Sequence, residues 1–290
     1  MVAAFSKKTV VFFCSAFIIS TAYSQTFNLS TQPTDKVQLG LRYLHSYFSD
    51  DISYADYSGC GVYSLGINFP VGEKSNLVID FNMVHFSVDV KPIEYDYYIQ
   101  EGGSYSQNAL TNIYVGYQFA KSRLVENAVN FEIGVFLPTA AENDFGALYC
   151  GGFYADYYRI AKYIPNTLSI NMNLSKWNKV SENFEWGFEV GPTIMFYTKG
   201  EGRSSDAFLH YGISPKLIVN NFMVFPEFTG VLILSGQGVD FSDRFMNTIG
   251  LGAGYKFGKI TPKLFYNIDF NEYKRQMTDG TLGIKLEAEL

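Results

Sequence analysis

Apolar and polar residues alternate with period two along most of this chain. In VQLGLRY, Val37, Leu39, Leu41 and Tyr43 fall on one side of an extended strand, and Gln38, Gly40 and Arg42 on the other. The same two-faced pattern runs through VNFEIGVFL, LSINMNLS, FEWGFEVGPT, NTIGLGAGYKF and ITPKLFYNIDF. Period two is the signature of a strand, because successive side chains point to opposite faces. Twelve such segments are predicted, near 37–48, 60–70, 75–89, 110–120, 127–138, 166–176, 183–198, 207–219, 221–234, 245–257, 259–271 and 280–290. Most exceed the five or six residues usual for a soluble strand. A tilted strand needs about nine to eleven residues to cross a bilayer.

The connections alternate between long and short. Long ones fall at 49–59, 90–109, 139–165, 199–206, 235–244 and 272–279. Short ones fall at VGEK (71–74), around 121–126, at NKVSE (178–182), at Asn220 and at Gly258. The predicted fold class is therefore all-β: an antiparallel up-and-down transmembrane β-barrel of about 12 strands, with long outer loops and short periplasmic turns. An even strand number places both ends of the barrel in the periplasm. The final segment, TLGIKLEAEL, is itself cleanly two-faced. No sheet edge can be left open in lipid, so this segment is expected to pair with the first. A soluble sandwich or lipocalin-like barrel is the competing fold. Its interior would be the apolar face, whereas here the opposite face is small, polar and charged, as suits a wet lumen.

On these segments the chain resembles bacterial outer-membrane β-barrel proteins. Thr281, Gly283, Leu286 and Ala288 match the assembly signal that such barrels carry on their last strand, although no terminal aromatic is present. FLPTA (136–140) resembles the LPTG that follows a strand in twelve-stranded hydrocarbon-transporter barrels, with Ala140 in place of the glycine. The resemblance implies a bacterial outer-membrane location. It implies a lipid bilayer and lipopolysaccharide as surroundings, and the barrel assembly machinery as a partner of the last strand. It also implies a channel or transporter for small solutes. A non-conducting structural or adhesive barrel with ligand-binding outer loops is the alternative, and a lipid-modifying enzyme is a third reading.

The N-terminus reads as a secretory signal at 1–24: Lys7 and Lys8, an apolar stretch at 9–20, and Ala22 and Ser24 before a cut at Gln25. Phe13 stands before Cys14 where a lipoprotein would have a small residue. A periplasmic segment at 25–36 and the barrel at 37–290 follow. Charged residues make up 17% of the chain and aromatic residues another 17%, against about 25% charged in soluble domains. The net charge of −6 becomes −8 once Lys7 and Lys8 are lost, which argues against nucleic acid as a partner. No CxxC pair occurs, and the three histidines, His45, His85 and His210, lie far apart in sequence. No metal or cofactor is expected.

Candidate chemistry sits on the polar face and in the loops. Arg42, Lys216, Lys256, Lys263 and Lys285 come from segments 1, 8 and 10–12; Asp80, Glu132, Glu185, Glu189 and Glu227 come from 3, 5, 7 and 9. Asp269, Glu287 and Glu289 interrupt this division. Two readings stand: a basic wall facing an acidic one across an open lumen, or charges that pair and fill it. The third outer loop carries Tyr149, Tyr154, Tyr157, Tyr158, Arg159 and Tyr163. It either folds inward as a constriction or ligand site, or packs as an external cap. Cys60 and Cys150 are both expected at the outer rim, as a disulfide tethering that loop. His85 and Ser87 share a strand face on the lipid side. A His-x-Ser pair facing lipid also resembles outer-membrane lipases and deacylases, but Val88 and Asp89 replace the Asn-Gly that follows in those families. A serine nucleophile needs a base and an orienting acid or amide. The bland reading of the pair is coincidence.

Overall fold

The computed structural model describes residues 34–49, 55–95, 98–100, 102–120, 129–199, 205–235 and 240–290. The signal segment, most of the segment that follows it and the turn at 121–126 lie outside the described residues. Twelve antiparallel strands form the wall. They are β1 (Gln38–Phe48), β2 (Ala55–Pro70), β3 (Ser75–Val90), β4 in two halves (Gly103–Leu110 and Ile113–Ala120), β5 (Val129–Leu137) and β6 (Thr167–Lys179). The ring continues with β7 (Phe184–Tyr197), β8 (Ser205–Val219), β9 (Phe222–Ile233), β10 (Phe245–Tyr255), β11 (Ile260–Asp269) and β12 (Thr278–Glu289). Each strand pairs with its neighbours in sequence, and β12 pairs with β1 from Gln38↔Glu289 to Phe48↔Thr278, so the sheet closes on itself. Closure leaves no unsatisfied edge.

Two expected loops contain regular structure. Much of 90–109 is strand: β3 and the upper half of β4 remain paired to Val90↔Gly103, and a short ladder joins Ile93–Tyr95 to Tyr98–Gln100 above them. The ladder continues beyond the apolar belt because its backbone hydrogen bonds still need partners. The alternation fades there because no face meets lipid. Likewise 272–279 holds a helical turn, Glu272–Met277, where the side chain of Asn271 accepts a hydrogen bond from the backbone N–H of Lys274 at 3.2 Å. Two tight turns rest on left-handed residues, Asn220 (φ 56°) and Gly258 (φ 58°), which reverse the chain within one or two residues.

Burial alternates along the strands as the sequence pattern requires. Leu41, Tyr63, Phe81, Met83, Phe119, Phe131, Leu217, Leu251, Leu264 and Ile284 form an exposed apolar exterior. The inner face carries polar groups, glycines and a few aromatic rings. The buried ring of Phe265 lies against Gly250 and that of Phe225 against Gly252, where an added Cβ would run into either ring. Glycine here lets a large ring lie flat on the wall and leaves the centre of the barrel to another element.

The closed barrel should migrate differently before and after boiling in a denaturing gel; a protein that is soluble without detergent and shows no mobility shift would refute the fold. Gly250→Leu should reduce the unboiled, fast-migrating fraction, since overpacking of this kind typically costs about 1–3 kcal/mol.

Candidate functional site

The third outer loop, 138–166, re-enters the barrel. It carries a helical turn at Phe145–Tyr149, a wide turn at Cys150–Ala155 and a tight one at Tyr157–Lys162. A disulfide joins Cys150 to Cys60 on β2, with the Cα atoms 6.2 Å apart. The two cysteines are 90 residues apart in sequence, and closing a loop near that length restricts the unfolded chain by roughly 4–5 kcal/mol in the chain-entropy picture. Next to the bridge, Ala147, Leu148, Tyr154, Ala155 and Tyr163 pack with Leu44, Val62, Val84 and Ala109 of the wall in a dry cluster. Of the two arrangements open to the loop, inward folding or an external cap, it takes the inward one. The inward-facing positions at the outer end of β1 to β4 are apolar, and loop three is what buries them. Tyr149 stays at the outer end, 42% exposed, stacked on Phe153.

Deeper in the barrel the contacts become polar. Asp156 pairs with Arg42 at 2.5 Å and accepts a hydrogen bond from the Tyr163 hydroxyl at 3.0 Å. Lys162 pairs with Asp80, and Arg159 approaches the same carboxylate at 3.8 Å. The Tyr158 hydroxyl donates to Glu189, whose other oxygen accepts from Asn173 at 3.1 Å. Burial opposes the charge on Arg159, but Asp156, Asp80 and Glu189 outweigh it and hold the guanidinium above its ordinary pKa. Burial brings Lys162 down to about 8, with Asp80 working against the shift. Burial, then Glu189, raises Tyr158, so this hydroxyl stays protonated and acts as a donor. Tyr157 is pushed up to about 12 by burial.

The break in β4 is part of this arrangement. Asn112 sits at the interruption, and its side-chain amide donates to the carbonyls of Ala161 (3.2 Å) and Ile164 (2.7 Å), while its oxygen accepts from the backbone N–H of Ala140 at 3.0 Å. Its own backbone N–H donates to the carbonyl of Lys162 at 2.7 Å. One residue therefore holds both limbs of loop three. Thr139, inside FLPTA, repairs the interruption: it accepts from the Ile113 N–H and donates to the Thr111 carbonyl, each at 2.9 Å.

The lumen charges face inward, and several of them are paired. Glu185 pairs with Lys216 at 2.7 Å, with Lys216 above the Trp177 ring. Glu287 bridges Lys263 and Lys285, both at 2.8 Å, and Asp269 pairs with Lys274 at 2.9 Å. Glu132 accepts from Tyr114 and from Gln118. Glu227 is buried, and Lys256 is half-buried just past the end of β10. At mid-depth loop three sets Arg159 and Lys162 beside Asp80 and Asp156 beside Arg42. Asp156, Lys162 and Asn112 were not singled out from sequence. Nothing in a loop's local pattern tells which of its charges will be carried into a barrel.

Beside the loop remains a cavity of about 180 Å³. Its lining runs from Gln38, Lys259 and Glu289 at the periplasmic end, past Arg159 and Glu189, to Phe208 and Val231 in the outer half. Arg42, Arg159, Lys162, Lys259 and Lys285 line it against Asp80, Glu132, Glu189, Glu287 and Glu289. The lining mixes apolar with polar groups, and its charges balance.

His85 and Ser87 lie on the outer face of β3, away from this cavity, and His85 Nδ1 is 2.9 Å from Asn108 Oδ1 on β4.

Neither a protein-family model nor a curated protein matches this chain. Solved structures do. An outer membrane channel from Pseudomonas putida F1 is similar at 15% identity and a TM-score of 0.59, covering 92% of this chain and 100% of that one. The NanC porin is similar at 9% identity and a TM-score of 0.53, covering 87% of this chain and 100% of that one. Identities this low establish the fold. The chain is a closed twelve-stranded β-barrel of the bacterial outer-membrane type, and the exposed apolar belt is the surface such a barrel turns to lipid.

Mass spectrometry of protein prepared without reductant should find the peptides of Cys60 and Cys150 linked; two free thiols would show that loop three is not tethered there. Asn112→Leu should make loop three more susceptible to added protease while preserving the gel-mobility shift, because it removes the hold on both limbs and leaves the ring of strands intact.

Proposed function

We propose that this barrel is a selective outer-membrane channel or transporter for small solutes, with loop three narrowing its lumen. The observation that supports this reading is the cavity beside loop three, whose lining residues extend from the periplasmic end into the outer half of the barrel. A barrel whose interior served only for stability has no need of such a cavity. Lipopolysaccharide in the outer leaflet and assembly machinery that engages β12 belong to the same reading.

Charge balance in the lining limits selection by charge, so shape and hydrogen bonding at Arg159, Tyr158, Glu189, Asn173 and Thr193 carry most of the discrimination. Excess negative charge on the outer loops still favours cations at the mouth.

In planar bilayers the wild-type barrel should pass a small current. The double variant Arg159→Ala, Lys162→Ala removes two cations from beside Asp80 and Glu189, so its reversal potential should move toward cation selectivity. That shift should shrink as salt rises from about 0.1 M to 1 M, because the screening length falls from about 10 Å to about 3 Å. Absence of current from both proteins would favour a non-conducting barrel that binds ligands through its outer loops.

A further inference from the structure

A buried carboxylate without a counter-ion stands in the wall of the cavity. Glu132 on β5 is 7% exposed and lines the cavity. One of its oxygens accepts from the Tyr114 hydroxyl, and the other accepts from the Gln118 amide at 2.6 Å. Both donors are neutral, and among the described residues no ion pair includes Glu132. Other carboxylates of the lining are paired: Asp80 with Lys162, Glu287 with Lys263 and Lys285, and Glu289 with Lys36 at 3.8 Å. A charge buried without its opposite is costly. Hydrogen bonds recover part of that cost, and a cation brought by a solute recovers more.

Tyr114 makes the surroundings of Glu132 suit an ammonium group. An added Cβ at Gly116 or Gly134 would run into the Tyr114 ring. The two glycines therefore let this ring lie along the wall with its hydroxyl at Glu132. Its centroid is 4.7 Å from that of Phe136. A carboxylate beside aromatic faces attracts an ammonium group both by charge and by the ring quadrupoles.

An opposite charge faces the same space. Asn173 stands opposite Glu132 in the ladder and donates to Glu189, which also accepts from Tyr158. That contact brings Arg159, the next residue of loop three, into the cavity lining. The side chains of Arg42 and Lys162 are 4% and 2% exposed, whereas that of Arg159 is 26% exposed, so Arg159 is the cation at this depth that a solute reaches. Its planar fork matches a carboxylate. Phe136, Ala161, Phe208 and Val231 add an apolar flank. The volume of about 180 Å³ holds on the order of ten waters, and so a solute of about that many heavy atoms.

We propose that this part of the cavity binds a small zwitterion, an α-amino acid with an apolar side chain. Its ammonium group sits at Glu132 and the Tyr114 ring, its carboxylate at Arg159, and its side chain against Phe136 and Phe208. A solute of no net charge but with two charged ends suits a lining whose charges balance. The proposal deepens the channel reading and rests on it for the access of solute to the cavity.

The test uses the full barrel, disulfide intact, in detergent micelles, with calorimetric titration of L-leucine and of its two halves. These are 3-methylbutylamine, which lacks the carboxylate, and 4-methylpentanoate, which lacks the ammonium group. Wild type should bind leucine at least about tenfold more tightly than either half, the range for a charge-assisted hydrogen bond. Glu132→Gln, which keeps the shape of the side chain, should weaken leucine by a similar factor and leave 4-methylpentanoate undiminished. Arg159→Gln should weaken leucine likewise and leave 3-methylbutylamine undiminished. A merely structural role for either residue would not separate the two ends. Variants that weaken all three ligands alike overturn the proposal, and so does a wild type that binds leucine no more tightly than its halves. Planar-bilayer current, measured on the same protein with and without leucine, keeps the two readings apart. A current that leucine leaves unchanged, with no heat of binding, overturns the zwitterion site and not the channel; leucine binding without any current overturns the channel and not the site.

Discussion

A backbone N–H or C=O cannot be left without a partner in hydrocarbon, and the rest of this structure depends on that constraint. It forces the strands into a closed ring in which Gln38 meets Glu289 and each strand is bonded on both sides. Closure then divides every strand into a face toward lipid and a face toward the lumen. The outer face is a solved problem, because apolar side chains meet apolar lipid. The inner face is not, since a ring of this size encloses space that must be filled by side chains, by water or by another part of the chain.

This protein uses all three. Phe225 and Phe265 lie flat on glycines and thicken one wall. Loop three enters from outside and divides its contacts by depth. Apolar groups near Cys60 and Cys150 form a dry cluster, and charged groups lower down neutralise the walls. Ion pairs within the lumen satisfy groups that would otherwise be costly to desolvate. What remains is a cavity whose lining charges balance. A loop held by a disulfide, by ion pairs and by Asn112 is a positioned part of the lumen, and the interruption of β4 is the local sacrifice that admits the Asn112 hold.

The outer face is uniform only as far as the hydrocarbon extends. Where the belt stops, between the row of Met83 and Leu110 and the row of His85 and Asn108, polar side chains face neighbours across the ladder at strand spacing. Along the outer face of β3 the composition changes from Phe81 and Met83 to His85, Ser87 and Asp89.

The fold class, the strand number and the inward or outward direction of nearly every strand residue were legible in the sequence. Period-two alternation is a local property, and a lipid environment enforces it along each strand separately. Leu41 and Arg42 point where their neighbours in sequence say they must. The alternation of long and short connections likewise gave the up-and-down order, because adjacent antiparallel strands need only local pairing. Strand ends above the membrane, as at 90–109, were not legible, since the pattern fades where the surrounding solvent becomes the same on both faces. Nor were the contacts of loop three. Asp156 meets Arg42 across 114 residues of chain, and Lys162 meets Asp80 across 82. The same is true of His85, whose partner Asn108 lies on the next strand at a register set by the whole sheet. Such pairings follow from the closed ring and the depth to which the loop descends, and only the tertiary structure decides either.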